Sequence, residues 1–147
     1  MDKKITKVFV SGCYDILHGG HIEFFTRAKE LGDYLIVCFA GNKSLELHKN
    51  KKPSLPEEHK KKVLESLRMV DEVVVGDDLE EMGLDFKQHF LRIKPDILAV
   101  TEDDKYSEQK RKLCDQIGAK YTVLPKTLNF KPISTTEIIK NIKYGTN

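Results

Sequence analysis

Gly12-Cys13-Tyr14-Asp15-Ile16-Leu17-His18-Gly19-Gly20-His21 decides how the rest of the chain folds. Before it, Lys7 to Gly12 is a short apolar run ending at glycine, the form of a buried strand. After it, Ile22, Phe24, Phe25, Ala28 and Leu31 fall at roughly helical spacing, and Gly32 is a natural stop. The stretch is therefore the turn that carries a strand into a helix. Gly19 and Gly20 let a backbone approach an anion closely, and the free N–H groups opening a helix point at it. His18 and His21, three apart, can project toward the same side of the first helical turn. Imidazole N–H groups there would stabilise charge building on phosphoryl oxygens.

Working outward, Tyr34 to Ala40 is a second continuous apolar run, and two strands with a helix between them form a right-handed parallel unit. Residues 41–55 lack periodicity and are rich in lysine, so a long loop is expected there. A helix is expected from Pro56, suited to a first turn, through Val63, Leu64 and Leu67 to Arg68. Glu72–Val75 reads as the third strand. Phe86, Phe90, Leu91 and Ile93 mark a helix that stops before Pro95. Asp96–Val100, a helix over Ser107–Ile117, and Tyr121–Leu124 complete the alternation. The last helix opens at Ser134-Thr135-Thr136-Glu137 with capping-box spacing, and Tyr144 to Asn147 are expected to fray. The class is α/β, a Rossmann-like doubly wound five-stranded parallel sheet with helices on both faces, expected as one domain over residues 1–147. Ligands of such sheets bind beyond the carboxyl ends of the strands, where the strand order reverses. The turn at 12–21, the segment 41–55, Thr101 to Lys105 and the start of the last helix share that edge.

Composition narrows the function further. With 147 residues, 39% hydrophobic and 33% charged, this is an ordinary globular chain with no apolar run of membrane-spanning length. A cytoplasmic protein with no membrane partner is expected. Three widely spaced cysteines suit neither a disulfide framework nor a Cys-x-x-Cys clip. The net charge of +2 is unevenly spread: residues 43–62 hold seven lysines against three glutamates, and 71–85 hold seven acidic residues and no Lys or Arg. The lysine run lacks interleaved aromatics, so no nucleic-acid partner is expected. His48, His59, His89 and the cysteines show no zinc-ligand spacing, so no protein-held metal is expected. Nor does Gly12 to Gly20 spell the dinucleotide fingerprint Gly-x-Gly-x-x-Gly.

The stretch Gly12 to His21 resembles the G-x-[FY]-D-x-x-H-x-G-H signature of the nucleotidylyltransferase superfamily, and Ile133-Ser-Thr-Thr-Glu-Ile-Ile139 resembles its second signature, I-S-[ST]-T-x-I. Leu47 to Lys52, Glu58-His59-Lys60 and Leu67-Arg-Met-Val-Asp-Glu-Val73 are similar to the lysine loop and R-x-V-D-E-V segment of the glycerol-3-phosphate cytidylyltransferase group. The resemblance implies that His18 and His21 stabilise the transition state at the α-phosphorus with Lys49 as a third catalytic residue. It implies that Gly12, Cys13, Tyr14, Asp15, Gly20, Thr101, Ile133, Ser134, Thr135 and Thr136 hold the nucleotide, and that Lys51 and Arg68 hold the acceptor. Phe39, Phe130 and Lys131 are further candidates for the acceptor pocket. The expected reaction is transfer of CMP from CTP to a small phosphorylated alcohol or sugar with release of pyrophosphate. Mg²⁺ is expected on the triphosphate, and a homodimer as the assembly.

Two segments depart from that group. Lys126-Thr127 is separated from Ile133-Ser134 by a stretch without the group's glycine, and its G-D-D-W is replaced by Thr101-Glu102-Asp103-Asp104-Lys105. Both segments help hold base and ribose there. Heptose-phosphate adenylyltransferases and archaeal-type FAD synthetases share the two main signatures, so ATP with a sugar phosphate or with FMN is the alternative. A nucleotide-binding regulatory module without turnover is a further one.

Overall fold

The computed structural model describes residues 4–49, 54–77, 83–126 and 130–146, with the side chains of 47–49 outside the described set. The elements run β1 (Lys7–Gly12), α1 (Gly19–Glu30), β2 (Tyr34–Phe39), α2 (Asn42–Lys49), α3 (Glu57–Glu65), β3 (Glu72–Val75), α4 (Lys87–Ile93), β4 (Ile97–Thr101), α5 (Ser107–Ile117), β5 (Lys120–Leu124) and α6 (Thr135–Tyr144). The strands form one parallel sheet in the order β3-β2-β1-β4-β5, the doubly wound architecture expected of the alternating pattern.

Alternation within the central strands feeds two cores. Val8, Val10, Leu35 and Val37 face Phe25 and Ala28 of α1 and Leu64 of α3. On the other face Phe9, Ile36, Cys38, Leu98 and Val100 meet Phe86, Phe90 of α4, and Leu113 and Cys114 of α5. Phe9 packs edge-on to Phe90 at 5.6 Å between ring centroids. Helices α4 and α5 end at left-handed residues, Lys94 (φ 54°) and Gly118 (φ 71°), and Pro95 then bars continuation of α4.

The strand order reverses between β1 and β4. β1 lies beside β2 along its full length, from Lys7 opposite Tyr34 to Gly12 opposite Phe39. Against β4 it pairs only at Val8 with Ile97 and Phe9 with Leu98. The carboxyl halves of β1 and β4 therefore separate, and the crevice so opened lies where the phosphate-type turn leaves β1.

Three expectations are corrected. Residues 42–49 form α2 rather than a loop. Ser44 and Leu45 are the buried positions of its described side chains, and one buried apolar residue leaves no period to read. α3 stops at Glu65, so Arg68 lies in the turn that follows. α6 continues to Tyr144 instead of fraying before it. Among the described residues, no helix is long and apolar enough to cross a membrane.

Candidate active site

The turn out of β1 is built around Tyr14, whose φ of 48° is unusual for a bulky residue. Its ring is buried edge-on to Phe25 at 5.0 Å and to His21 at 5.5 Å. The same ring lies over Gly12, where an added Cβ would come within 2.7 Å of Tyr14 Cζ, so a side chain there would displace the tyrosine. Burial pushes the Tyr14 hydroxyl far above its usual range, and it stays un-ionised.

His18 is the N-cap of α1, in extended conformation (φ −145°, ψ 178°). The Gly20 N–H donates to His18 Nδ1 at 3.1 Å, and the His18 N–H donates to His21 Nδ1 at 3.2 Å. The two imidazoles thus form a reciprocal capping box, with ring centroids 4.0 Å apart. Because each Nδ1 accepts, the neutral ring of each histidine carries its proton on Nε2. Burial, helped by the Lys126 charge, holds His18 below its ordinary value. Burial first, then His18 and Lys126, lower His21 from 6.5 to about 4. Both are neutral donors at physiological pH.

Asp15, buried beneath the turn, accepts from the Ser54 N–H at 2.8 Å. Lys60 of α3 is 1% exposed, its Nζ 3.6 Å from Asp15 Oδ1 and 3.4 Å from the Cys13 carbonyl, which accepts from it. The sequence reading included Lys60 in the lysine-loop resemblance but gave it no role. It sits among three consecutive lysines, and its neighbours Lys61 and Lys62 are exposed, so nothing local singles it out.

A cleft of about 660 Å³ opens over this turn. It brings together Gly12, Cys13, Tyr14, Asp15, His18, Gly20 and His21 with Thr101 of β4 and with Ile133, Ser134 and Thr135 at the start of α6. Ser134 caps α6, its Oγ accepting from the Glu137 N–H at 3.1 Å. Lys126 lines the cleft near the histidines and donates to Asp103 Oδ2 at 2.6 Å, which keeps that carboxyl below its usual range. Asp104 accepts from Lys110 Nζ at 2.9 Å and from the Tyr121 hydroxyl at 2.6 Å. Burial raises its pKa, but those bonds outweigh burial and the net shift is downward. Asp103, Asp104, Lys110 and Lys126 are wall residues that sequence reasoning did not assign. The departure from G-D-D-W marked their neighbourhood without showing which side chains turn inward.

Other expected residues lie elsewhere. Thr136 is exposed in the first turn of α6, outside the cleft lining. Arg68 is exposed between α3 and β3, a helix-to-strand connection that topology puts at the amino edge, opposite the cleft. Lys49 closes α2 with its side chain outside the described set, and Lys51 lies outside the described residues. Phe39 is fully buried in a core and unavailable to an acceptor. Phe130 is half-exposed beside Gly19, whose added Cβ would come 2.8 Å from that ring. Lys131 is exposed.

The family model described as cytidylyltransferase-like matches residues 9–141. The FAD synthase of Pyrococcus horikoshii is 39% identical over 145 residues, covering 96% of this chain and 94% of that protein. The FAD synthase of Pyrococcus abyssi is 39% identical over 140 residues, 92% of this chain and 91% of that one. Among solved structures, a lipopolysaccharide core biosynthesis protein from Thermoplasma volcanium superposes with a TM-score of 0.69 at 26% identity, over 86% of this chain and 100% of that one.

Proposed function

The chain belongs to the cytidylyltransferase-like family and is a nucleotidyltransferase, and from that premise we propose that it transfers AMP from ATP to the phosphate of FMN. The observation that carries the transfer step is the reciprocal use of Nδ1 by His18 and His21, which leaves two Nε2–H donors for the cleft. The relatives, FAD synthases over nearly the whole chain, favour FMN with ATP over the CTP and glycerol-phosphate pair that motif resemblance alone puts first.

In this reading a phosphate oxygen of FMN attacks the α-phosphorus in line. A phosphorus–oxygen bond to FMN forms, the bond from the α-phosphorus to its bridging oxygen breaks, and the electron pair leaves with pyrophosphate. His18 and His21 donate hydrogen bonds that strengthen as negative charge grows on the phosphoryl oxygens, so they act on the transition state more than on bound nucleotide. The N-terminus of α6, opened by Ser134, offers N–H groups and a positive dipole end to the outer phosphates, and Lys126 adds a cation. Mg²⁺ fits as an ion carried by the triphosphate and water. The cleft carboxylates Asp15, Asp103 and Asp104 are each matched to a lysine and Glu23 to Arg27, and among the described residues no three metal-type side chains converge.

The test is pyrophosphate release with ATP or CTP crossed against FMN, glycerol 3-phosphate and a sugar 1-phosphate. ATP with FMN is expected to be the productive pair, with FAD appearing one-for-one with pyrophosphate. Faster turnover of CTP with glycerol 3-phosphate would overturn the proposal.

A further inference from the structure

A second cavity, about 370 Å³, adjoins the nucleotide cleft and shares Ser11, Gly12, Cys13, Leu45, Asp103, Asp104 and Lys110 with it. Away from that shared wall it extends over Ala40 and Ser44 after β2, Gly83 and Asp85 before α4, and Lys105 and Tyr106 before α5. His18, His21 and the α6 N-terminus line only the first cavity. In-line transfer needs the incoming oxygen and the leaving pyrophosphate on opposite sides of the phosphorus. With the outer phosphates at the α6 N-terminus, the acceptor comes from the side away from α6, and this second cavity adjoins the cleft without being lined by α6.

The far wall carries the chemistry of a flat ring. Gly83 sits at φ 81°, and an added Cβ would overlap the Tyr106 ring, so the Gly83 backbone lies directly against that ring. Tyr106 is held from below as well: its N–H donates to Asp104 Oδ1 at 3.2 Å, and Asp104 is itself fixed by Lys110 and Tyr121. Lys110 Nζ lies 5.8 Å from the centroid of the buried Phe86 ring, tying the same wall to the core. Ala40 and Leu45 add apolar surface, and Ser44, Asp85 and Lys105 are the polar side chains of the same wall. Beside those polar groups the wall offers an aromatic ring and glycine backbone, a surface that a flat ring can pack against. The volume is within the range of small-ligand sites.

We infer that this second cavity is the acceptor subsite and that Tyr106 selects a planar aromatic acceptor by packing against its ring system. The inference rests on the adenylyl-transfer reading and adds the determinant of its acceptor. It also relocates the effect of the Thr101–Lys105 departure, which places Asp103 and Asp104 between the two cavities and so bears on the acceptor as well as the base.

The experiment uses the full chain with Tyr106→Leu and Tyr106→Phe. FMN turnover with ATP and Mg²⁺ is measured, and binding of FMN alone is followed by quenching of flavin fluorescence. Tyr106→Leu is expected to raise the KM for FMN roughly tenfold, the size of a lost stacking contact, with the KM for ATP unchanged, which also reports an intact fold. Tyr106→Phe should retain wild-type values. An unchanged KM for FMN in the leucine variant, with wild-type turnover of FMN intact, would overturn the subsite while leaving the proposed reaction standing. Should the wild-type chain fail to adenylate FMN, the proposed reaction falls, and quenching decides the subsite. Quenching lost in Tyr106→Leu supports it, and absence of quenching in the wild type overturns it.

Discussion

His18 and His21 commit one ring nitrogen each to the backbone and leave the other for the cleft. That division makes His18→Ala a test of two roles at once. Removing the Nε2–H donor should lower kcat by about 10²–10³-fold, as loss of a preorganised donor does, while nucleotide affinity stays within about tenfold because the bond strengthens in the transition state. Steady-state kinetics beside equilibrium ATP binding separates the two, and a collapse of binding with turnover spared would contradict the role. Protonation gives an independent check. A proton on His21 Nδ1 must displace the His18 N–H, and burial holds that proton off until pH falls to about 4. The folded pKa lies below the ordinary 6.5, so the unfolded chain takes up the proton first as pH falls. Stability from this residue is therefore full above about 6.5, declines through the window down to about 4, and is flat below it. Thermal melts at stepped pH should show that decline in the wild type and lose it in His21→Asn. In kcat/KM, which reports the free enzyme, protonation of His21 should reduce activity only as pH nears about 4.

At the scale of elements, legibility followed burial. β1 and β2 were readable as continuous apolar runs because both of their faces are buried, and α1 by the helical spacing of its apolar residues. α2 was not, since Leu45 is its buried apolar residue among the described side chains. α6 was readable for another reason: Ser134 and Glu137 stand at cap spacing, and the structure uses Ser134 as the N-cap. Yet α6 buries none of its residues, and Ile142 is 75% exposed. Such a helix draws little stability from packing, so its amides should exchange near the local-unfolding limit in the free protein. If its N-terminus holds the outer phosphates, ATP should slow that exchange selectively, α6 gaining protection that α4 and α5 do not. Hydrogen exchange followed by mass spectrometry reads this directly. Uniform protection across the chain, or none in α6, would show that α6 does not grip the nucleotide. Ser134→Ala should cost about 1 kcal/mol of helix stability and blunt the ATP effect.

Across the whole molecule, the alternation of apolar runs with helical spacing predicted the sheet, and the motif residues that reached the cleft come from the end of β1, the turn into α1, the first turn of α1, the end of β4 and the start of α6. What stayed hidden are contacts between elements distant in sequence, for which a single chain carries no local signal. Arg68 illustrates one side of this, since its motif spacing says nothing about which edge of the sheet it occupies. Lys60 illustrates the other: 45 positions after Asp15, it is a buried cation that joins α3 to the turn after β1. Burying both charges costs desolvation that their attraction roughly offsets, whereas removing one partner leaves the other stranded. Lys60→Met should therefore destabilise the fold by about 3–5 kcal/mol, a large share of the roughly 5–15 kcal/mol that holds such a domain together. Adding Asp15→Asn removes the stranded charge, so the double variant should recover much of the loss, with a coupling of about 0.5–3 kcal/mol. Urea unfolding of the four proteins measures it. Because the same lysine holds the Cys13 carbonyl at the floor of the cleft, the double variant should regain stability without regaining full turnover, and Lys60→Arg should regain part of both. Strict additivity in urea, or full activity in the double variant, would reduce Lys60 to a packing residue with no hold on the phosphate turn.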